Sequence, residues 1–404
     1  MNPVILPLTS MTATHLVAFM AFQAVPIVAP DAARDLGIDP GLVGFYTSGA
    51  YAGGMISALS SGALIPRWGP VRLCQVTLAV AAVGMALTAS GSLAVAIVAA
   101  FVVGLGHGPI TPSAAHLLRA TSPPSILSVV FSIKQASVPL GLAIAGAALP
   151  PIVLMYGWQA ALLLVGALCV VCAVLLQPVR ARYDARAEAP PPMTLGAVLE
   201  PLRLVATMPA LRELTAIAVG LGTGMFCFTT FIVVYLTGTI GFGLIDAGLF
   251  LAASQAAGMI SRVVWGALAD YCGRPRLVLA GIAAVDAVCM LLLGYVGIDW
   301  PYWAMYGLCV AIGACAVGWS GVLLAEAARK APSHLSGAAI AGLTTVFGFA
   351  MIFIPSGFSI AVTTIGSYRL GFVVVAGVTV LCALALLRPA PETRTRRRAG
   401  ELLE

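Results

Sequence analysis

Charged residues are scarce in this chain, at 9% of its 404 residues. A soluble domain carries roughly a quarter of its residues as charged side chains, so the composition excludes a soluble protein. The remainder is correspondingly apolar, with 60% hydrophobic residues and a mean hydropathy of +1.03. The composition therefore predicts a polytopic helical membrane protein.

The sequence also lacks the groupings on which enzymes depend. It has no nucleophile–base pair, no cluster of metal ligands and no glycine-rich phosphate loop. The nine cysteines fall mostly within apolar segments without metal-ligand spacing, which favours a packing role. The chain opens without a basic region or a small-residue cleavage site, so we expect the first apolar segment to be retained. We predict that the protein is not an enzyme and uses neither a cofactor nor a metal.

Long apolar runs recur along the chain, each able to cross a hydrocarbon layer of roughly 30 Å. We count twelve, at 12–30, 42–64, 73–92, 94–118, 126–150, 158–177, 213–237, 246–268, 277–297, 301–327, 335–360 and 368–387. The loops between most of them are short, so consecutive helices are expected to be antiparallel neighbours.

Two stretches of the sequence are copies of each other at an offset of 204 residues. Gly54–Leu73 reads GMISALSSGALIPRWGPVRL and Gly258–Leu277 reads GMISRVVWGALADYCGRPRL, with ten of twenty positions identical. Gly104 likewise matches Gly313 at an offset of 209. Duplicated membrane halves are typical of secondary transporters, which bind substrate where the halves meet. We predict an all-α fold with six-helix bundles at 1–179 and 212–388, a cytoplasmic linker at 180–211 and a basic tail at 389–404.

The distribution of basic residues predicts the orientation. With the N-terminus inside, 17 of the 21 lysines and arginines fall in cytoplasmic loops or in the tail. The positive-inside rule then makes both termini cytoplasmic, and the net charge of +6 reflects topology and not nucleic-acid binding. Arginine far outnumbers lysine beside abundant alanine and glycine, which is typical of GC-rich bacterial genomes. We expect a multi-pass protein of the bacterial inner membrane.

The end of the second copy resembles the signature loop of the major facilitator superfamily. Residues 266–276 read GALADYCGRPR. In that family the loop latches one conformation shut, and Gly266 is expected to permit close helix approach. The resemblance implies that the conformational latch comprises Gly266, Asp270, Gly273 and Arg274.

The first copy departs from that pattern, with Pro66 and Pro70 where an acid and an arginine are expected. Its latch must therefore be weakened or built differently. The fourth run carries Gly104-Leu-Gly106-His107-Gly108, which resembles the glycine-rich fourth helix of the family, although Ala100 replaces the usual arginine. The resemblance covers both halves and implies the twelve-helix fold of the superfamily.

Arg262 is one of a few ionisable residues inside the predicted spans, where each costs about 2.5–3.5 kcal/mol on insertion scales. It lies roughly two helical turns before Asp270, about 12 Å into its span. It either extends to the cytoplasm or pairs with Asp270, or it binds a carboxylate in a cavity. The pattern Arg262-x-x-x-Gly266-x-x-x-Asp270 is similar to the eighth helix of monocarboxylate transporters and oxalate/formate antiporters. That resemblance implies that Arg262 contacts the substrate anion.

Lys134 lies at a similar depth in the fifth span, beside Gln135 and near Ser132 and Ser137. It either reaches back to the headgroups or lines a cavity, and its polar neighbours favour the cavity. In the fold that the resemblance implies, spans five and eight face each other, so Lys134 and Arg262 lie on opposite walls. Two cations that close repel unless an anion lies between them. We therefore predict that both bind the substrate, although oxalate carriers place their second cation on span eleven, which has none here.

His107 has two open interpretations, a hydrogen-bonded packing histidine or a proton-coupling group. Asp286 is expected to pair with a neighbouring helix, whereas His15 and His116 are expected at the membrane interface. Besides Gln135, the polar side chains expected to line the cavity are Gln23, Tyr51, Thr111, Thr229, Thr230, Tyr235, Gln255, Trp319, Ser320 and Thr344.

These features predict a secondary active transporter that moves a small organic anion, a carboxylate, by alternating access in symport with protons. Its expected partners are the substrate, protons and the lipid bilayer, without nucleic acid, and the protein is expected to be a monomer. Two alternatives stay open at this point. One is a multidrug or metabolite exporter driven by proton antiport, and the other is a ligand sensor that does not transport.

Overall fold

The protein is described by a computed structural model that covers residues 4–184, 195–332 and 335–388. Within these residues the chain is almost entirely helical and contains no β-strand. The α-helices are α1 (Ile5–Leu36), α2 (Val43–Trp68), α3 (Pro70–Thr88), α4 (Leu93–Leu105), α5 (Ile110–Thr121), α6 (Leu127–Tyr156), α7 (Trp158–Leu175), α8 (Gln177–Tyr183), α9 (Leu195–Thr207), α10 (Pro209–Tyr235), α11 (Leu244–Cys272), α12 (Pro275–Leu293), α13 (Tyr302–Ile312), α14 (Ser320–Lys330), α15 (Ser336–Ile365) and α16 (Tyr368–Leu387). Part of the predicted linker, 185–194, and the tail, 389–404, lie outside the described residues.

Eleven helical segments in the described chain are long and apolar enough to cross a membrane. The remaining predicted span, 42–64, corresponds to α2, which has 26 residues but is rich in serine and glycine, and these lower its hydropathy. The fourth span consists of α4 and α5, and the tenth consists of α13 and α14 joined through the π-helix Gly313–Val317. The predicted all-α membrane fold with twelve spans is confirmed.

The contacts divide the chain into two compact units. Unit 1 comprises Met1–Pro192, Thr229–Ala256 and Pro355–Gly366, and unit 2 comprises Met193–Phe228, Ala257–Ile354 and Ser367–Glu404. Unit 1 thus contains the N-terminal half together with short segments of the C-terminal half. The predicted bundle boundaries at residues 179 and 212 stay a prediction.

Short segments of the C-terminal half pack against the N-terminal half inside unit 1. The Oγ of Ser359 donates a hydrogen bond to the carbonyl of Gly41 at 2.6 Å, and the amide of Ser356 donates to Oγ of Ser48 at 3.0 Å. A Cβ added to Gly146 on α6 would lie 2.8 Å from the carbonyl oxygen of Gly248 on α11. Small residues therefore allow close approach between the two sequence halves within this unit.

Duplicated glycines make equivalent helix contacts in the two halves. Gly104 on α4 lies against the carbonyl of Ala50 on α2, without room for a Cβ. In the second half a Cβ on Gly258 of α11 would lie 2.9 Å from the carbonyl oxygen of Gly313, the copy of Gly104. The repeated stretch thus sets a short helix separation in each half.

Gly266 does not make the close helix contact expected of it, because a Cβ there would meet no atom within 4 Å. The same holds for its copy Gly62, and the close approach lies two turns earlier, at Gly258. The loop glycines have a different role, since Gly69 and Gly273 have φ angles of +84° and +60°. Only glycine adopts such left-handed conformations without strain, which explains its presence in both turns.

Candidate anion-binding site

Lys134 lies on α6 in unit 1 with only 2% of its surface exposed. Its Nζ donates hydrogen bonds to Oε1 of Gln135 at 3.0 Å and to Oγ1 of Thr111 at 3.2 Å. Among the described residues no carboxylate forms an ion pair with it. A buried cation with only neutral partners is costly, so this ammonium group retains the capacity to bind an anion.

His15, which the sequence predicts to lie at the membrane interface, is buried beside this lysine with 2% of its surface exposed. Its Nδ1 is 3.1 Å from Oγ of Ser137, one turn after Lys134 on the same helix. Its ring stacks on His107 with centroids 5.6 Å apart and an interplanar angle of 22°. His15 is buried because α1 packs against α6. The position of a residue near the end of an apolar run does not reveal such packing.

Aromatic rings continue the cluster from His107. The Phe22 and His107 centroids are 4.6 Å apart, and Phe19 approaches His107 at 5.6 Å. Tyr51 packs edge-on against Phe22 at 4.9 Å. Phe22 is buried, whereas Phe19, Tyr51 and His107 are half-buried. We call these four rings the aromatic wall, and it is partly accessible. Contacts thus connect Tyr51, His107 and Lys134, which the sequence singled out separately.

Three further predicted residues lie in unit 1 and are buried: Gln23, Thr230 and Gln255. In the described chain none of them hydrogen-bonds to Lys134. Oε1 of Gln23 and Oγ1 of Thr230 have no hydrogen-bond partner there, while Nε2 of Gln255 lies 3.4 Å from Oγ of Ser254. Buried polar atoms normally have partners, so the first two are candidates to bind a polar ligand or water.

Arg262 lies on α11 in unit 2 and is half-buried. Its Nε donates to the carbonyl of Val317 at 3.2 Å. Val317 ends the π-helix Gly313–Val317, a rare type of helical turn that often occurs at functional sites. Asp270 instead pairs with Arg329 at 3.9 Å. The alternative in which Arg262 pairs with Asp270 is therefore not observed.

Trp319 follows the π-helix and is buried, with an Nε1 that has no hydrogen-bond partner among the described residues. Its ring packs edge-on against Phe347 at 6.0 Å, and Phe347 lies 5.9 Å from Phe226. Trp265, one turn after Arg262, donates from Nε1 to the carbonyl of Ala314 at 2.7 Å. Unit 2 therefore also places an arginine near aromatic side chains and an unused donor.

The predicted latch residues lie at an exposed end of α11 and α12. Asp270 has 80% of its side chain exposed and only the long contact to Arg329. Arg274 is exposed as well, and both border a cavity of about 560 Å³ that is also lined by Glu326. Exposed pairs of this kind contribute at most about 1 kcal/mol. The latch role of these residues stays a prediction.

A stronger ion pair close to this loop was missed in the sequence. Arg276 contacts Glu213 through two hydrogen bonds of 2.9 and 3.0 Å, and its Nη2 also reaches the carbonyls of Ala385 and Arg388 at 3.3 and 3.1 Å. It thus joins the starts of α10 and α12 to the end of α16. The signal available was Arg276 itself, which is identical in the two copies as Arg72.

At the equivalent position after the first copy, the start of α3 is held by a carboxylate. The oxygens of Asp184, just after α8, accept hydrogen bonds from the amides of Val71 at 3.1 Å and Arg72 at 2.6 Å. These amides belong to the first turn of α3, whose unpaired N–H groups favour an anion. Burial raises the pKa of Asp184 above its usual 3.8, against the opposing effect of the Arg72 and Val71 amides.

Asp286 is completely buried on α12, and neither of its oxygens has a hydrogen-bond partner in the described chain. The expected partner on a neighbouring helix is thus not found. The residue opposite is Gly224, where an added Cβ would lie 2.9 Å from Oδ2 of Asp286. The carboxyl group therefore faces backbone across a close helix contact.

An apolar cavity of about 450 Å³ lies elsewhere in unit 1, between the ends of α1, α2, α4 and α7. It contains none of the predicted site residues, and the polar pair in it, Tyr46 and Thr88, is satisfied by a 2.9 Å hydrogen bond. A site for an organic anion requires a cation, so we place the candidate site at Lys134 and not in this apolar cavity.

Comparison with known proteins places the chain among transporters. The profile of the Major Facilitator Superfamily matches residues 11–355. Among solved structures, a bacterial homologue of the human lysosomal transporter Spinster superposes with a TM-score of 0.77 at 14% identity, over 96% of this chain and 99% of that one. A peptide transporter in complex with sulfate has a TM-score of 0.76 at 16% identity, over 98% and 95%. At these identities the likeness concerns the fold.

Two kinds of relatives are similar in sequence. The 4-hydroxybenzoate transporter PcaK of Pseudomonas aeruginosa is 32% identical over 166 residues, which are 40% of this chain and only 37% of that protein. The uncharacterized transporter MT3072 of Mycobacterium tuberculosis is 26% identical over 338 residues, 79% of this chain and 73% of that protein.

Proposed function

The chain belongs to the major facilitator superfamily, and we propose that it moves a small aromatic carboxylate across the membrane by alternating access, in symport with protons. Membership makes it a multi-span transport protein and not an enzyme. The observation that carries the substrate class is Lys134, a buried ammonium group that has no carboxylate partner among the described residues, next to a cluster of aromatic rings.

The chemistry of that cluster suits a ring that bears a carboxylate. Lys134 donates two of its three N–H groups, so one donor is left for a carboxylate oxygen. A hydrogen bond between charged groups contributes about 1.5–3 kcal/mol, which amounts to roughly 10–100-fold in affinity. The half-buried rings of Phe19, Tyr51 and His107 supply edges and faces on which an aromatic ring can stack.

Arg262 supplies the second cation of the proposal. Its Nε is committed to the carbonyl of Val317, and the rest of its guanidinium group is available to an anion. Trp319 adds an unused N–H donor in the same unit. In this proposal both cations bind the carboxylate during transport, together with Gln135, Gln23, Tyr51, Thr230 and Gln255.

The relatives support the same substrate class. The name 4-hydroxybenzoate transporter describes an aromatic carboxylate, and it recurs for proteins of Acinetobacter baylyi and Pseudomonas putida that are 30% and 29% identical over 35% and 40% of this chain. Because each match spans well under half of those proteins, their substrate serves here as the first compound to test.

For proton coupling we propose His107. Its Nδ1 is buried without a hydrogen-bond partner in the described chain, and imidazole changes charge near physiological pH. A proton taken up together with the anion would neutralise the charge that crosses the membrane.

The test is uptake of radiolabelled 4-hydroxybenzoate by proteoliposomes with an imposed proton gradient. We expect accumulation that benzoate inhibits and phenol does not, since phenol lacks the carboxylate. Binding without flux in either direction would instead identify a ligand sensor. Normal uptake by both Lys134→Ala and Arg262→Ala would refute the anion site, and full proton-driven accumulation by His107→Ala would refute its coupling role.

We further propose that the protein lies in the bacterial inner membrane as a monomer with both termini cytoplasmic. Cys272 allows the orientation to be tested, because it is the exposed cysteine among those described and lies at the predicted cytoplasmic end of α11. A membrane-impermeant maleimide should label it in inverted membrane vesicles and not in intact cells. Labelling from outside the cell would reverse the proposed topology.

A further inference from the structure

The contact between His15 and Ser137 determines which nitrogen of the imidazole carries its hydrogen. Oγ of Ser137 lies 2.5 Å from the carbonyl oxygen of Lys134. A carbonyl only accepts, so the single hydroxyl hydrogen of Ser137 is donated there. Oγ must therefore accept at its 3.1 Å contact with Nδ1 of His15, and Nδ1 carries the hydrogen. Nε2 of His15 is left with a lone pair, and it has no hydrogen-bond partner among the described residues.

The charges around His15 are unbalanced. Lys134 on α6 and His107 between α4 and α5 are its nearest ionisable neighbours. The other helices packed against α1 carry Tyr51 on α2, Cys74 on α3, His116 and Arg119 on α5 and Cys172 on α7, and residues 43–183 include no aspartate or glutamate. The carboxylate of Asp184, beyond α8, is engaged by the first amides of α3. No described carboxylate therefore faces the imidazole.

The excess of positive charge around His15 links the binding of a proton there to the binding of the anion. A second positive charge beside Lys134 is repelled at short range in a site of low dielectric. A bound carboxylate removes that repulsion, so proton uptake becomes favourable when the anion is present. The linkage is reciprocal: a proton at His15 raises the affinity for the anion by the same factor by which the bound anion raises the affinity for the proton.

We propose that His15 holds the coupling proton, which enters at Nε2 when a carboxylate binds beside Lys134, and that His107 acts in coupling as its stacked neighbour. This inference rests on the proposed function and adds a residue to it. Ser137 acts as a positioning residue that keeps the hydrogen on Nδ1. His107, stacked on His15, lies between that imidazole and Phe22 and so contacts both the proton site and the aromatic wall.

The deciding variant is His15→Asn, in which the amide nitrogen can still donate to Ser137 but no group replaces Nε2 as a base. Proton uptake is measured with a pH-indicator dye in weakly buffered solution when 4-hydroxybenzoate is added to the purified protein. We expect about one proton per bound anion near neutral pH for the wild type and none for His15→Asn. The affinity of the wild type should rise roughly tenfold for each unit by which the pH falls around neutrality, and that of the variant should stay constant.

Transport by the same variant separates this inference from the proposed function. His15→Asn should still exchange internal for external 4-hydroxybenzoate, because Lys134 is kept, but it should lose gradient-driven accumulation. Undiminished proton uptake or accumulation in the variant would overturn the role of His15 and leave the substrate proposal intact. Absence of 4-hydroxybenzoate binding by the wild type would overturn the proposed function. His15→Gln serves as the second variant if His15→Asn does not fold, and Ser137→Ala, which keeps the imidazole, should retain proton uptake.

Discussion

Lys134 and Arg262 are held in different ways within their own halves. Lys134 contacts two neutral side chains, those of Thr111 and Gln135. Arg262 contacts a backbone carbonyl, that of Val317 at the end of a π-helix. Side chains change rotamer on binding whereas a helical carbonyl is fixed. We infer that Lys134 adjusts to the anion and that Arg262 is positioned in advance.

The loops at the ends of the two copies also differ in the groups that bind the charged side chain. Near α3 the carboxylate of Asp184 binds two backbone amides, and near α12 the guanidinium of Arg276 binds the carboxylate of Glu213. Each contact joins the start of one helix to a distant part of its own half. The two halves therefore have this contact at equivalent positions but form it with different chemical groups.

The largest effect is expected for Lys134→Ala, which removes the cation that lacks a carboxylate partner. Loss of a charged hydrogen bond predicts a roughly 10–100-fold fall in kcat/KM for 4-hydroxybenzoate uptake. The matched control is Lys330→Ala, which removes the other lysine, paired with Glu326 at 3.7 Å. Equal uptake by the two variants would show that the N-terminal half supplies no essential cation.

A smaller effect is expected for Arg262→Lys, which keeps the charge in the C-terminal half. A lysine lacks the planar fork that allows contact with Val317 and a carboxylate at once. We expect a fall of roughly tenfold in kcat/KM, expressed mainly in KM. Arg34→Lys, on an arginine with 74% of its side chain exposed, is the control and should leave uptake unchanged. A larger loss than in Lys134→Ala would reverse the inferred ranking of the two cations.

Among changes at the two helix junctions, Glu213→Ala is expected to have the larger effect on stability. It should destabilise the C-terminal half more than a substitution of Asp184 destabilises the N-terminal half. It leaves Arg276, whose side chain is 16% exposed, without a carboxylate. Breaking a largely buried pair costs about 2–4 kcal/mol after allowance for partial exposure, which is measurable by thermal unfolding in detergent. Combination with Arg276→Ala isolates the pair energy. A coupling near zero would mean that the pair does not secure this junction.

The smallest effect is expected for Asp184→Asn, and it depends on pH. Because burial raises its pKa, the folded protein binds this proton more tightly than the unfolded chain does. The free energy of unfolding therefore falls as pH rises from the usual 3.8 toward the raised pKa and then levels off. Asp184→Asn should lack this fall when unfolding midpoints are compared between about pH 3.5 and pH 6. A difference between wild type and variant that is constant with pH would contradict it.

Hydropathy and duplication predicted the fold because a membrane span is a local property of about twenty residues. Side-chain partners are not local. Asp184 binds amides 112 and 113 residues away, and Arg276 binds Glu213 at a separation of 63 residues. The burial of His15 depends on which face of α1 meets α6, and Asp286 lacks its expected partner because that face of α12 meets Gly224.

Lys134 is expected to make the site select a carboxylate, and the binding of two isosteric ligands measures this selectivity. Calorimetric titration compares 4-hydroxybenzoate with neutral 4-hydroxybenzamide on the wild type and on Lys134→Ala. We predict that the wild type binds the carboxylate at least about tenfold more tightly and that the variant binds the two alike. Equal affinities in the wild type, or unchanged discrimination in Lys134→Ala, would contradict the account.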